Sequence, residues 1–249
     1  MVWSTISLDL GPAGRSPAWT NLQLFLDRSL PPDTSVLPAS LHAMLETVQM
    51  ALIGTTTAAL LAVPLAVLGS RNLFPGSIGA TSRILLAALR TLPAILWALI
   101  LVAVVGVGEL AGVLALTLYT IGYLGKLQFE AIEGLSREPI DALTAIGASR
   151  LQVIRHVVLP EMGNALISHT LFAFDYNVRH ASVLGVVGAG GIGTLLMGYL
   201  TFFQLDRMLT VLLIVFATVL LIDVMSHTTR TRFTDHLAPR TAMHVAKIP

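Results

Sequence analysis

The amino-acid sequence predicts an all-α integral membrane protein, a single polytopic domain that crosses a bilayer about five times. Hydrophobic residues make up 55% of the 249 positions and charged residues only 12%, about half the charged share of an ordinary soluble domain. Apolar runs of roughly 20 residues, the length that spans hydrocarbon as a helix, recur along the chain. One polar stretch, residues 128–158, separates two of these runs and carries helix-capping signals of its own.

Residues 1–40 hold Pro12, Pro17, Pro31, Pro32 and Pro38 around one short apolar patch, Leu22 to Leu26. The patch is too short to span, so an extramembrane arm with an interfacial helix is expected. The arm lacks the charged start, apolar run and small-residue cleavage site of a signal peptide, and none is expected. The first span covers roughly 41–70, where the small residues Gly54 to Ala59 permit close helix packing. A polar loop at 71–83, with Pro75, Gly76 and Gly79 as breakers, precedes a second span at 84–105. Pro93 should kink that span by removing a backbone donor. A turn at Gly106-Val107-Gly108-Glu109 leads into a third span ending near Lys126.

Within 128–158 the local signals describe two short helices. Ser136 can cap the first, Pro139 suits its opening turn, and Gly147 supplies the stop. Ser149 with Gln152 three residues on forms a capping box for the second, whose Leu151, Ile154 and Val158 share one face. Pro160 is expected to start a fourth span running to about Leu184. A glycine-rich stretch, Gly185 to Gly198, breaks the pattern before a last span at 208–222 and a tail at 227–249.

Five spans place the 71–83 loop, the 126–160 segment and the tail on one side. These hold ten of the fifteen Lys and Arg residues, so that side is expected to be cytoplasmic. The opposite side receives the N-terminal arm, the Glu109 turn and the approach to Asp206, with Arg15, Arg28 and Arg207. The formal net charge of +1 leaves no nucleic-acid footprint. Cysteine is absent, which excludes disulfides and thiolate metal sites.

Arg179 falls within or at the edge of the fourth span, where an unpaired charge costs about 3 kcal/mol. It must face a cavity or a partner, and Asp175 stands four residues earlier. Two readings remain open at this point: Arg179, with Asn177 and His180, is a donor set for a passing oxyanion, or Asp175 and Arg179 form a buried pair that fixes helix register. Arg90 can snorkel to the cytoplasmic surface. Glu109 reads as a solvated interfacial charge, and His169 as a hydrogen-bonded packing residue with no second metal ligand at a convincing spacing. The run Gly188-Ala189-Gly190-Gly191-Ile192-Gly193 satisfies G-x-G-x-x-G, but it lacks the flanking strand and downstream acid of a dinucleotide site. Gly188, Gly190, Gly191 and Gly193 are instead expected to form a helix break or re-entrant turn at a gate, where backbones cross closely.

The spacing Asp141-Ala142-Leu143-x3-Gly147-x9-Val157-x-Leu159-Pro160 resembles the EAA loop of ABC importer permeases. Further blocks are Leu45 to Ala51, Gly122 to Lys126, Gly147 to Arg155 and, most family-specific, Asn177 to Gly193. With them the chain resembles the permease subunit of phosphonate-type ABC importers from about Pro31 to Ser226. The resemblance implies a type I importer fold in an inner membrane, while the charge asymmetry and the parity of five spans lead to the expectation of an N-terminus outside and a C-terminus in the cytoplasm. The resemblance also implies a coupling helix in the 136–158 loop, with Asp141, Ala142, Gly147, Ala148, Ser149, Arg150, Leu159 and Pro160 serving the contact with a cytoplasmic ATPase. Implied partners are an ATPase dimer that holds ATP and Mg, a second permease (a copy or a homologue), and an extracytoplasmic binding protein delivering phosphonate, phosphite or a related oxyanion. No cofactor is expected on this chain, which has no Walker-type loop. Asp141 stands where the family usually has Glu, Leu143 replaces the second Ala, and the extra N-terminal span of many relatives is not found. The alternatives are a permease for a different small solute and a non-transporting membrane anchor for a cytoplasmic partner.

Overall fold

The computed structural model describes residues 18–237, and every regular element among them is helical. The arm residues 1–17 and the tail positions Arg240 and Lys247 lie outside the described residues. The apolar patch of the arm forms α1 (Ala18–Ser29), which packs on the last helix. Asp33 then caps a 3-10 turn, Thr34–Val36, and its carboxylate reaches the Nε of Arg207 at 3.0 Å. Hydrogen bonds from Ser35, and after them Arg207, hold the Asp33 carboxyl below the usual carboxylate range.

Two long helices form the centre. α2 (Leu37–Gly69) and α5 (Glu109–Glu133) run parallel and in register. Gly112 lies against Met50, Gly54 against Leu116, and Gly69 against Phe129. A Cβ on Gly54 would sit 3.0 Å from that of Leu116, so the small-residue face of the first span is what lets the backbones approach. Pro64 lies inside α2 without ending it.

The second span departs from expectation. It consists of α3 (Ser77–Thr91) and α4 (Ala94–Val105), bent by 85° at Leu92-Pro93. Proline pushes the residue before it out of helical geometry, and Leu92 is extended at φ −91° and ψ 129°. Tertiary contacts set the angle. Gly122 and Gly125 of α5 admit Leu86, Leu89 and the Arg90 backbone at close range, and Trp97 Nε1 bonds back to the Leu89 carbonyl at 2.9 Å. α3 lies along the Gly69 end of the central pair, where Ser82 donates to the Leu65 carbonyl. Ala94 and Ala98 of α4 join the core of the other half with Ala115 and Leu116. Counted as one broken crossing, the pair brings the spans to five.

After α5 come α6 (Arg137–Ala145), α7 (Arg150–Val153), a π-turn (Ile154–Val158) and α8 (Leu159–Leu184). Pro160 stands in the first turn of α8, as expected, but α8 continues without a break from the helix that begins at Arg150. Proline lacks the N–H that an α-turn would use, and the chain widens immediately before it, Leu159 N–H donating to the Ile154 carbonyl five residues back. α8 runs antiparallel to α2 and α5. Val158 and Met162 pack beside Ala66 and Ile132, Ala173 beside Ala62 and Leu124. The glycine break is also shorter than expected: a 3-10 turn, Gly185–Val187, and three residues at positive φ end at α9 (Ile192–Thr201). α10 (Leu205–Leu237) completes the described chain.

Candidate functional site

The polar segment forms an elbow at the Gly69–Glu133 end of the bundle. α6 ends as the sequence indicates. Gly147 adopts φ +86°, its N–H donates to the Thr144 carbonyl at 3.0 Å, and Ala148 N–H donates to Leu143 at 3.1 Å, the paired bonds of a Schellman stop. The capping box follows, with Ser149 N–H on Gln152 Oε1 at 2.7 Å and Gln152 N–H on Ser149 Oγ at 3.4 Å. Ser136 occupies the N-cap of α6, but its side chain makes no capping bond.

The elbow is seated from below and bare on top. Ile140, Val153, Val157 and Val158 are buried against Leu73, Ile132 and Met162. Asn72 ties the seat together, donating to the Glu133 carbonyl at 3.2 Å and accepting from Arg137 at 3.4 Å. Arg150 lies over the Phe74 ring at 5.4 Å. The buried face is Val153, Val157 and Val158 with Ile154 half-buried beside them, whereas Leu151, expected on that face, is 74% exposed. Asp141, Ala142, Gly147 and Ser149 are exposed and Ala148 is half-buried. A concavity of about 410 Å³ opens between Ile146, Gly147, Gln152 and His156, and Ile146 itself is 80% exposed. Leu159 and Pro160 are exposed at the start of α8, beyond the elbow.

The residues expected in the path lie on α8 and in the turn after it. Arg179 Nη2 is 2.8 Å from Asp175 and 3.6 Å from Asp223 of α10. The Asp175 side chain is 4% exposed and that of Arg179 is 47% exposed. Arg179 and His180 border a cavity of about 330 Å³ beside Pro93 and Ala94, at the break between α3 and α4. Asn177 is turned away from it into the core, where its Nδ2 donates to Thr55 at 2.8 Å and its Oδ1 accepts from Thr120 at 3.1 Å. His169 is half-buried, and its Nδ1 is buried with no hydrogen-bond partner.

Gly188, Gly190 and Gly191 have φ of +83°, +81° and +70°. A Cβ on Gly190 would meet the Glu109 backbone at 3.0 Å, and one on Gly191 would meet Thr47 Oγ1 at 2.6 Å. Gly193 similarly leaves room for the Ser182 carbonyl. Ile192 N–H on Thr47 Oγ1 at 2.8 Å and Gly108 N–H on the Gly188 carbonyl at 2.9 Å lock the turn to α2 and to the head of α5. A second cavity, of about 600 Å³, opens beside Gly190 and Gly191, with Glu46 and Glu109 in its wall.

The sequence reading missed Asp223 and an aromatic strip. Tyr119 and Tyr123 of α5 stack with Tyr176 of α8, and Tyr176 lies 4.2 Å from the ring of His180. Both i,i+4 spacings, Tyr119 with Tyr123 and Tyr176 with His180, were present as a signal.

The geometry agrees with what known proteins show. Residues 58–240 match the family model described as "Binding-protein-dependent transport system inner membrane component". The phosphite transport system permease protein PtxC of Stutzerimonas stutzeri is 37% identical over 206 residues, covering 82% of this chain and 75% of that one. The phosphate-import permease protein PhnE of Mycolicibacterium smegmatis is 36% identical over 192 residues, 76% of this chain and 36% of that one. Among solved structures, a chain of the MetNI methionine ABC transporter in its inward facing conformations superposes with a TM-score of 0.71 at 22% identity, covering 80% of this chain and 98% of that one. The chain belongs to the family of binding-protein-dependent transport system inner membrane components, the permease subunits of ABC importers.

Proposed function

We propose that the chain imports a small phosphorus oxyanion, a phosphonate, phosphite or phosphate, by alternating access driven by ATP hydrolysed on a separate subunit. The names of the relatives support the cargo. The elbow supports the coupling, and it is the observation that carries the reading: a short helix stopped at Gly147, seated through Ile140 and Val153, presents Asp141, Ala142, Gly147 and Ser149 to solvent. Such a seat passes a push on α6 to the bundle as a rigid-body movement. In this reading the elbow faces an ATPase dimer that holds ATP and Mg, with Ala148 and Arg150 bracing it and Leu159-Pro160 carrying the motion into α8.

The orientation follows from the same side. The elbow and C-terminus are cytoplasmic, the N-terminus is outside, residues 1–40 are the outer arm, 41–226 the permease domain and 227–249 the tail. The protein pairs with a second permease, a copy or a homologue, and receives cargo from an extracytoplasmic binding protein at the glycine turn. Gly188, Gly190, Gly191 and Gly193 form the outer gate. Arg179 borders the path, and Asp175 and Asn177 brace it from within.

The test is co-purification. Asp141→Lys should leave membrane insertion intact and reduce recovery of the ATPase with the permease. Parental recovery and parental transport in that variant would remove the elbow from the coupling.

A further inference from the structure

We propose that the strip formed by Tyr119, Tyr123, Tyr176 and His180 is the oxyanion-handling surface of the path. This rests on the cargo proposed above and names the groups that meet it.

The bond between Thr120 and Asn177 fixes the level. Their neighbours Tyr119 and Tyr176 therefore stand side by side near the middle of α5 and toward the outer half of α8, well away from the interfacial belts where tyrosine is favoured in a membrane. Ring centroids 5.9 to 6.4 Å apart join Phe172, Tyr123, Tyr176 and Tyr119, and His180 closes the series 4.2 Å from Tyr176. Phe172 to His180 is two turns of α8, about 12 Å of travel. The upper end opens on the cavity that His180 shares with Arg179 and Pro93. The three phenols and the imidazole are only half-buried; Tyr119 and Tyr176 hydrogen-bond to each other, and hydrocarbon would leave the remaining donor and acceptor capacity of the strip unsatisfied at a cost. A passing solute with several acceptor oxygens supplies those partners.

Arg179, the one cation on this stretch of α8, lies between Asp175 and Asp223. Two carboxylates flank the one guanidinium, so the cluster carries no excess positive charge and does not act as a deep trap for an anion. Hydroxyl and imidazole donors, themselves uncharged, hold a tetrahedral oxyanion through hydrogen bonds at several sites in succession. That is what conduction needs, since binding must favour entry and still permit release. The ring stacking fixes the donors in place without a charge.

The experiment uses the complete complex of permease, ATPase and binding protein in proteoliposomes, with phosphite, phosphate and methylphosphonate as cargo. The triple variant Tyr119→Phe, Tyr123→Phe, Tyr176→Phe removes three hydroxyls and keeps the stacking. It should assemble and hydrolyse ATP like the parent while uptake falls about tenfold or more, raising the ATP spent per oxyanion moved. His180→Asn, which keeps a donor, should retain more uptake than His180→Leu. Unchanged uptake in the triple variant overturns the proposal, and so does loss of permease pairing in detergent, which would make the strip a contact between permeases. A parental complex that moves none of the three solutes overturns the cargo reading, and the strip with it, before any variant is compared.

Discussion

The carboxylate of Asp223 stands 3.6 Å from the guanidinium of Arg179, joining α10 to a charge already paired with Asp175 within α8. A half-exposed guanidinium between two carboxylates is a brace between helices. Removing one partner of a fully buried pair costs roughly 3–5 kcal/mol, and the exposure of Arg179 brings the loss here below that. Arg179→Met should therefore lower the yield of detergent-resistant complex, and Asp175→Leu combined with Arg179→Met should restore it and most of the uptake. Asp223→Asn should cost under about 1 kcal/mol, because both groups of that contact are about half exposed. A double variant that assembles but does not transport would give Arg179 a direct part in moving cargo.

The elbow depends on backbone geometry at Gly147. Nothing lies within 4 Å of a Cβ built there, so a substitution meets strain from φ alone, about 1–2 kcal/mol for an ordinary residue. Gly147→Asn, which tolerates a left-handed backbone, should keep coupling near the parental ratio of ATP hydrolysed to solute moved. Gly147→Val should raise that ratio severalfold without changing membrane insertion. Equal ratios for the two variants would mean that the Schellman stop does not position the docking surface.

Topology is open to a direct label, because the chain has no cysteine of its own. Thr20→Cys on α1 should react with an impermeant thiol reagent in intact spheroplasts, and Ser77→Cys at the head of α3 only after permeabilisation. Both positions are exposed. The reverse pattern would invert the bundle and place the elbow outside.

Asp33, bonded by Ser35 and then by Arg207, forms an acid-sensitive clip. The folded pKa of Asp33 is depressed, so its contribution is fully present above the unfolded value and is lost as pH falls through the folded one. Protease accessibility of the α1–α2 junction should therefore rise on acidification below the usual carboxylate range, and Asp33→Asn should show the acid behaviour already at neutral pH. Identical pH profiles for parent and variant would remove this clip as the cause.

Much of this arrangement was legible in the residues. Gly147 and the Ser149–Gln152 box report local backbone bonds, which short-range sequence determines, and both stand where expected. The Asp175–Arg179 pair is likewise a matter of i,i+4 spacing. What was not legible depends on distant contacts. Pro93 announces a break but not an 85° turn, which requires the close approach of α3 to Gly122 and Gly125. Pro160 marks the first turn of α8 but does not reveal that helix already runs up to it through a π-turn that absorbs the missing donor. Asn177 was grouped with Arg179 by proximity in the chain, although a helix points the two in different directions, one to Thr55 and Thr120 and the other to the cavity.

The central claim, ATP-driven import of a phosphorus oxyanion through this chain, is tested most directly by uptake into proteoliposomes carrying the permease and its ATPase. The binding protein is supplied on the outer face and ATP on the ATPase face. The account predicts accumulation of labelled phosphite, phosphate or methylphosphonate that requires both additions and that methionine does not compete away. Recovery of an intact complex that hydrolyses ATP but accumulates none of the three, or that accumulates methionine instead, would contradict it.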